Sequence, residues 1–300
     1  VTVRVGDLTL YDSLAGELNS QQSNISTLDG QLSSGLRLNQ PSDDPMGVVD
    51  ALTYQSQVSQ LASTTSSSTT ASSWLGLAGD SINNVLGVLQ TARTLMLQAL
   101  NSGAQTQQSY NAMSQQVQGI IQQLVSLGNT TYAGTAIFAG TAGVAAPYSA
   151  AGAYSGNQQS FTIQVGPGAP TAVSVPGTSL FGGAGGVQSV FTTLQTFLND
   201  LAAGPAAAGA NLQNDLANLD ANIGVAETAA TQVGQAAQRV EAASAAAHSQ
   251  STTVQGDLAQ TEDVDVATAS TQLQSELANY QAALYAVSQT VPESLAQFLH

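Results

Sequence analysis

The chain contains no cysteine and no lysine, and its 300 residues carry only four basic side chains, Arg4, Arg37, Arg93 and Arg239. Without cysteine there is no disulfide, no thiolate nucleophile and no thiolate metal site. A chain of this kind that works outside a cell takes its stability from long helices or from neighbours in a polymer, not from cross-links. Four arginines cannot form the basic face that displaces counterions from phosphates, which excludes the nucleic-acid-binding class. The formal net charge of −15 argues equally against anionic membrane surfaces. It suits an assembly-prone protein that must stay soluble. No run of about 18 apolar residues suggests a membrane span. No basic segment followed by an apolar one opens the chain, so no cleaved signal peptide is expected. The protein is then either cytoplasmic or exported by a route that does not read such signals.

Catalytic chemistry is equally sparse. His248 and His300 are the only histidines, one on an alanine-rich helical stretch and the other at the final position, and both read as surface residues. Asp43 and Asp44 could suggest a two-carboxylate site, but their place before Pro45 fits helix capping better. Glu262-Asp263-Val264-Asp265 lacks the glycine and distal glutamate of a calcium loop. Gly182 to Gly186 lacks the Lys-Ser/Thr of a phosphate loop. No catalytic, cofactor or metal site is expected, and the chain does not read as an enzyme.

What is abundant is helical periodicity. Tyr11, Leu14, Leu18, Gln21, Ile25, Leu28 and Leu32 step by alternating threes and fours, the a/d seam of a coiled coil. At the other end Val266, Ser270, Leu273, Leu277, Tyr280, Leu284, Val287 and Val291 do the same. Neither seam has a partner nearby in sequence, so the two ends are expected to pack on each other or on other copies. Between them, Gly35 offers a C-cap, Leu36 to Ser42 an extended connector, and Asp44-Pro45 a helix start. Further seams run through Leu75 to Ala99, Tyr110 to Leu127, Val190 to Leu201 and Leu212 to Val240. The Ser/Thr-rich stretch from Ser63 to Ser73 holds poor helix formers and reads as helix carried by packing.

From Arg93 to Asp200 no charged residue occurs. The centre of that gap, Gly140 to Gly186, is rich in Gly, Ala, Pro, Ser and Thr. Phe161 to Val165 alternates with period two, and Thr171 to Val175 offers a neighbouring strand; a disordered linker is the other reading. The segment is expected to be a small β domain that can be shortened with the helical core retained. Lone Trp74 opens the Leu75 seam and reads as core.

The stretch Leu32-Ser33-Ser34-Gly35-Leu36-Arg37-Leu38-Asn39-Gln40-Pro41-Ser42-Asp43-Asp44-Pro45-Met46-Gly47 resembles the amino-terminal signature of bacterial flagellins and their junction relatives. There a helix ends in Ser-x-Gly, a basic residue follows, and an Asp-Asp pair opens the next helix. The Pro-Ser-Asp-Asp-Pro variant resembles the hook-associated protein 3 branch. Asn129-Thr130-Thr131-Tyr132-Ala133-Gly134 running into Ile137-Phe138-Ala139-Gly140, with Pro147-Tyr148 beyond, resembles that branch's helix-to-β transition. Asp263-Val264-Asp265-Val266-Ala267-Thr268 resembles the start of the superfamily's carboxy-terminal helix. The likeness covers about the first 150 residues and the last hundred.

The resemblance implies a mainly α fold, a long helical bundle and coiled coil built from both chain ends with a small inserted β-rich domain. The implied division is 1–40 with 263–300 as a terminal-helix assembly domain, 41–139 with 187–262 as a helical bundle, and 140–186 as a variable outer domain. It implies a structural adaptor between flagellar hook and filament, located outside the cell and exported through the flagellar type III channel. Its expected partners are copies of itself in a ring, hook-associated protein 1 on the hook side and flagellin on the filament side, with no nucleic acid and no membrane insertion. The expected interface is Tyr11, Leu14, Leu18, Ile25, Leu28, Leu32, Leu273, Leu277, Tyr280, Leu284 and Val287. The expected connector and cap are Gly35, Arg37, Asp43, Asp44 and Pro45. Two other readings stand beside this one: a filament flagellin, and a glycan-binding module carried by Tyr148, Tyr154 and Phe161 on a helical stalk.

Overall fold

The computed structural model describes residues 2–101, 106–166, 168, 170–183 and 185–296, with side chains for all of these except 2–11, 205–210 and 289–296. The side chains of Tyr11 and Val291, and all of His300, therefore lie outside the described parts. In chain order the elements are α1 (Thr2–Ser34), α2 (Pro45–Leu100), α3 (Gln107–Gly128), β1 (Thr131–Tyr132), β2 (Thr135–Ala136), β3 (Thr162–Ile163), β4 (Thr171–Ala172), α4 (Gly177–Phe181), α5 (Val190–Ala203), α6 (Pro205–Glu262) and α7 (Val266–Ala296). They group into two compact units. One comprises residues 1–60 and 250–300, the other 61–249, and α2 and α6 each contribute residues to both.

In the first unit α1 packs against α7. The inward face of α1 is Leu14, Leu18, Gln21, Ile25, Leu28 and Leu32, all half-buried and flanked by exposed residues. The three-four pattern in the sequence thus corresponds to a burial stripe along the helix.

The second unit holds a continuous core. Ala71, Trp74, Leu75, Ala78, Ile82, Val85, Leu89, Ala92, Met96 and Ala99 of α2 are buried in it with Leu212, Leu219, Ala226, Val233 and Val240 of α6. α3 packs against α5, burying Tyr110, Met113, Val117, Ile120 and Leu124 on one side and Leu194, Phe197 and Leu201 on the other. Alanine on these stripes contributes less burial per residue than leucine but permits close approach of backbones. The Ser/Thr stretch of α2 is helical. Its hydroxyls return to the preceding turn, Thr69 to the Thr65 carbonyl at 3.0 Å, Thr70 to Ser66 at 3.1 Å and Ser73 to Thr69 at 3.0 Å. This back-bonding satisfies those three hydroxyls without leaving the helix, whereas the buried Ser68 hydroxyl has no partner among the described residues.

The central segment carries short strands, as expected, and it also packs into the helical core. Within it β3 pairs antiparallel with β4, Thr162 opposite Ala172, and just before it β1 pairs with β2, Thr131 opposite Ala136. Its aromatic side chains complete the helical core. Tyr148 lies 4.9 Å from Phe181 and 5.1 Å from both Tyr154 and Phe191, and Phe138 packs edge-on against Phe181. Phe161 stacks on Trp74 at 5.5 Å, and Tyr132 meets the same indole at 5.6 Å. Gly152, at φ +80°, lets Phe191 lie flat on the backbone, since a Cβ there would sit 2.3 Å from the ring. Asn129 then ties the segment down. Its side-chain amide donates to the Tyr148 carbonyl and accepts from the Tyr148 amide, both at 2.8 Å. The segment belongs to the core because that is where its large apolar surface is removed from water.

Removing residues 140–186 should therefore abolish the cooperative helical melt by circular dichroism. Phe181→Ala, which empties a site that is 1 % exposed, should cost about 3–5 kcal/mol in urea unfolding. A deletion that melts like the parent chain would refute the shared core.

Candidate assembly interface

The connector after α1 is built by short-range demands and then fastened across the chain. Gly35 ends α1 at φ +76°, a left-handed conformation that costs other residues about 1–2 kcal/mol. From there the backbone pairs with the segment before α7. Arg37 donates its amide to the Glu262 carbonyl at 2.6 Å, and the Val264 amide donates to the Gly35 carbonyl at 3.0 Å. Leu36 and Asp263 form the bridge between them. The Arg37 guanidinium adds a bond to the Thr261 carbonyl at 2.8 Å. Gln31 donates to the Arg37 carbonyl at 2.9 Å, and Gln55 to the Glu262 carboxylate at 2.7 Å.

The adjacent acids have separate tasks. Asp44 caps α2, accepting from the Gly47 amide at 3.0 Å. That bond, with the Arg37 charge at 3.5 Å, holds its carboxyl below the usual carboxylate range. Pro45 follows at the first helical position, where its missing N–H costs nothing. Asp43 does not cap the helix. It closes the connector, accepting from the amides of Asn39 at 3.1 Å and Gln40 at 2.8 Å. Asp265 caps α7 through the amides of Ala267 and Thr268, at 3.0 and 3.1 Å, and those bonds lower its pKa. Asp263, two residues before it, serves the bridge with Leu36. Gly47 is fixed by the cap itself: a Cβ there would meet the Asp44 carboxylate at 2.6 Å.

On α1 every expected interface residue with a described side chain faces inward. On α7 the stripe is turned by one position. Leu273, Tyr280 and Val287 are half-buried, as are Glu276 and Ala283, whereas Leu277 and Leu284 are 40 % and 43 % exposed. Residues 273-276-280-283-287 and 273-277-280-284-287 are both three-four alternations sharing three members, so spacing alone admits either. Val266, at 58 %, aligns with Leu277 and Leu284 at spacings of 11 and 7, near whole helical turns, and Tyr285 is exposed beside them. Met46, Val49 and Leu52 add apolar exposure on the outer side of α2, opposite buried Ala51. A cleft of about 150 Å³, lined by Leu38, Pro41, Val48 and Leu52 among others, lies next to them.

Tyr148, Tyr154 and Phe161 do not form a binding platform. Tyr148 is buried, and the Tyr154 hydroxyl lies 2.9 and 2.8 Å from the Phe138 and Asn157 carbonyls. Phe161 stacks on Trp74 and remains 41 % exposed, apart from the buried Tyr148. Among the described residues, no group of three acidic or histidine side chains is placed to hold a metal ion, and no helix is long and apolar enough to cross a membrane. Gln31, Gln55 and Glu262 were not anticipated; they are single polar residues whose roles exist only once the two distant segments meet.

If the cross-chain tie holds this region, Gly35→Ala and Arg37→Ala should each accelerate amide exchange at residues 37 and 264. The Trp74 fluorescence melt of the second unit should be unaltered. Unchanged exchange in both variants would show that the tie contributes nothing.

Comparison with known proteins follows the same outline. Residues 7–143 match the profile of the bacterial flagellin N-terminal helical region and 216–299 that of the bacterial flagellin C-terminal helical region. Flagellar hook-associated protein 3 of Salmonella typhimurium is 27% identical over 181 residues, 60% of this chain and 57% of that protein. The chain thus spans just over half the length of this relative. Flagellin A of Helicobacter pylori is 32% identical over 117 residues, 39% of this chain and 23% of that one. Among solved structures, flagellar hook-associated protein-3 from Legionella pneumophila aligns with a TM-score of 0.63 at 14% identity, over 69% of this chain and 98% of that one. FlgL from Bacillus cereus gives 0.57 at 19%, over 70% and 100%.

Proposed function

Since this chain belongs to the bacterial flagellin family, we propose that it is a structural, non-enzymatic adaptor joining the flagellar hook to the filament. Its terminal helices pack coaxially with equivalent helices of neighbouring subunits. Copies of the chain form a ring, with hook-associated protein 1 on the hook side and flagellin on the filament side. The chain acts outside the cell, after export through the flagellar type III channel.

One observation carries the reading. The first unit, after pairing α1 with α7, still presents Val266, Leu277, Leu284 and Tyr285 on α7 and Met46, Val49 and Leu52 on α2 to solvent. An apolar row left over after a helix has buried its inner face marks a surface that another molecule covers. The inner seam supports the same view: α1 and α7 are buried only partway, and the Oε1 of Gln21 is buried there without a hydrogen-bond partner.

The unit is also strongly charged. Thirteen of the nineteen acidic residues fall within 1–60 and 250–300, against two arginines. Such a charge excess keeps the free chain soluble until it meets its partners.

Leu277→Asp should leave the monomer melt unchanged, because the side chain is already 40 % exposed. In the assembly it would bury an unpaired carboxylate at a cost of several kcal/mol. Motility should be lost, with filament protein released into the medium. Leu18→Asp, on the inner seam, should lower the melting of the first unit as well. Normal motility in both variants would overturn the proposal. So would micrometre-long polymers of the purified chain by electron microscopy, which would return the filament reading.

A further inference from the structure

In the second unit two carboxyl groups come together, Asp215 buried and Asp200 half-buried. Asp200 stands near the end of α5 and Asp215 on α6, beyond the Gly204–Pro205 turn. Asp215 is 2 % exposed. Their side chains are within hydrogen-bond reach of each other, yet the Oδ2 atoms of both are buried and meet no donor. The Oδ1 of Asp200 is satisfied, accepting from the Asn211 amide at 3.1 Å.

The surroundings supply no charge to relieve the pair. Asp200 is the only charged residue of α5, and α3, which packs on α5, has none. The titratable group of α3 is Tyr110, whose buried hydroxyl donates to the Ala99 carbonyl at 3.0 Å. On α2, Arg93 is committed to Asp220 of α6 at 2.7 Å. Two ionised carboxylates in contact and out of water repel each other and leave both oxygens unsatisfied. A single proton held between them removes one charge and supplies the missing donor. Two carboxyls are too few oxygens for a calcium site.

We propose that the Asp215 carboxyl stays protonated in the folded protein, donating to Asp200, and acts as a pH-sensitive latch between α5 and α6, closed in mild acid and released as the pH rises. Burial first, and then the neighbouring Asp200, pushes the Asp215 carboxyl up to about 7 from an ordinary 3.8. The folded state therefore keeps a proton that the unfolded chain loses near 3.8. The stabilisation is complete below that value and is lost as pH rises towards 7, the reverse of an ordinary salt-bridged aspartate. Asp44 and Asp265, held low by their caps, act in the opposite sense and only in stronger acid.

The test is urea unfolding of the full chain, followed by the fluorescence of Trp74, which lies in the same unit. Between about pH 5 and 7 the folding equilibrium of the parent chain should fall by up to about tenfold per pH unit, as release of one proton requires. Asp215→Asn and Asp200→Asn should flatten that slope and, at about pH 8, be at least as stable as the parent; either variant suffices if the other fails to fold. Equal pH slopes in parent and variants would overturn the proposal. So would restoration of the parent at pH 8 by millimolar calcium or magnesium with no effect on the variants, which would make the pair a cation site.

Discussion

Two backbone hydrogen bonds between residues 35–37 and 262–264 fix what the terminal helices can do. They join segments roughly 225 positions apart, and closing a flexible loop of that length costs about 5 kcal/mol by chain entropy alone. Each hydrogen bond returns a net ~1 kcal/mol, so the tie cannot form by itself. It sets a register that the α1–α7 seam and the intervening folded unit sustain. The arrangement divides labour between polar and apolar groups. The polar tie determines which residue of one segment lies against which residue of the other, and the apolar stripes supply the free energy.

The family of helices was legible in the sequence because each depends on signals a few residues long. The three-four stripes marked α1, α2, α3, α5 and α6, and Gly35, Asp44 and Pro45 marked the end of α1 and the start of α2. Three features escaped, each for a physical reason. The α7 stripe could not be placed, since two registers share Leu273, Tyr280 and Val287 and only the partner helix decides between them. The polar, glycine-rich composition of the central segment hid how its few aromatics converge. Tyr148 and Phe181 stand 33 positions apart, and the Asn129 clamp on Tyr148 is invisible until the chain turns back. The Asp200–Asp215 contact was missed because each is an isolated acid in sequence. Their meeting depends on the hairpin at Gly204.

Glycine and aromatic residues complement each other throughout the second unit. Where Phe191 rests on Gly152 and Tyr148 on Gly128, a ring lies against bare backbone, so dense packing is reached without many large aliphatic side chains. This helps explain how a chain with 5 % aromatic content closes a core around helices rich in alanine.

The uneven placement of charge has a further consequence. In any cluster of copies whose first units lie within a Debye length, about 8 Å at physiological ionic strength, repulsion grows with the number of pairs while contact energy grows with the number of neighbours. Such a cluster gathers small cations from solution as it forms. The occupancy of that ion atmosphere then becomes part of the equilibrium, much as it does for a polyelectrolyte. A protein almost devoid of positive side chains in its first unit would thereby draw dissolved salt into any association of its copies.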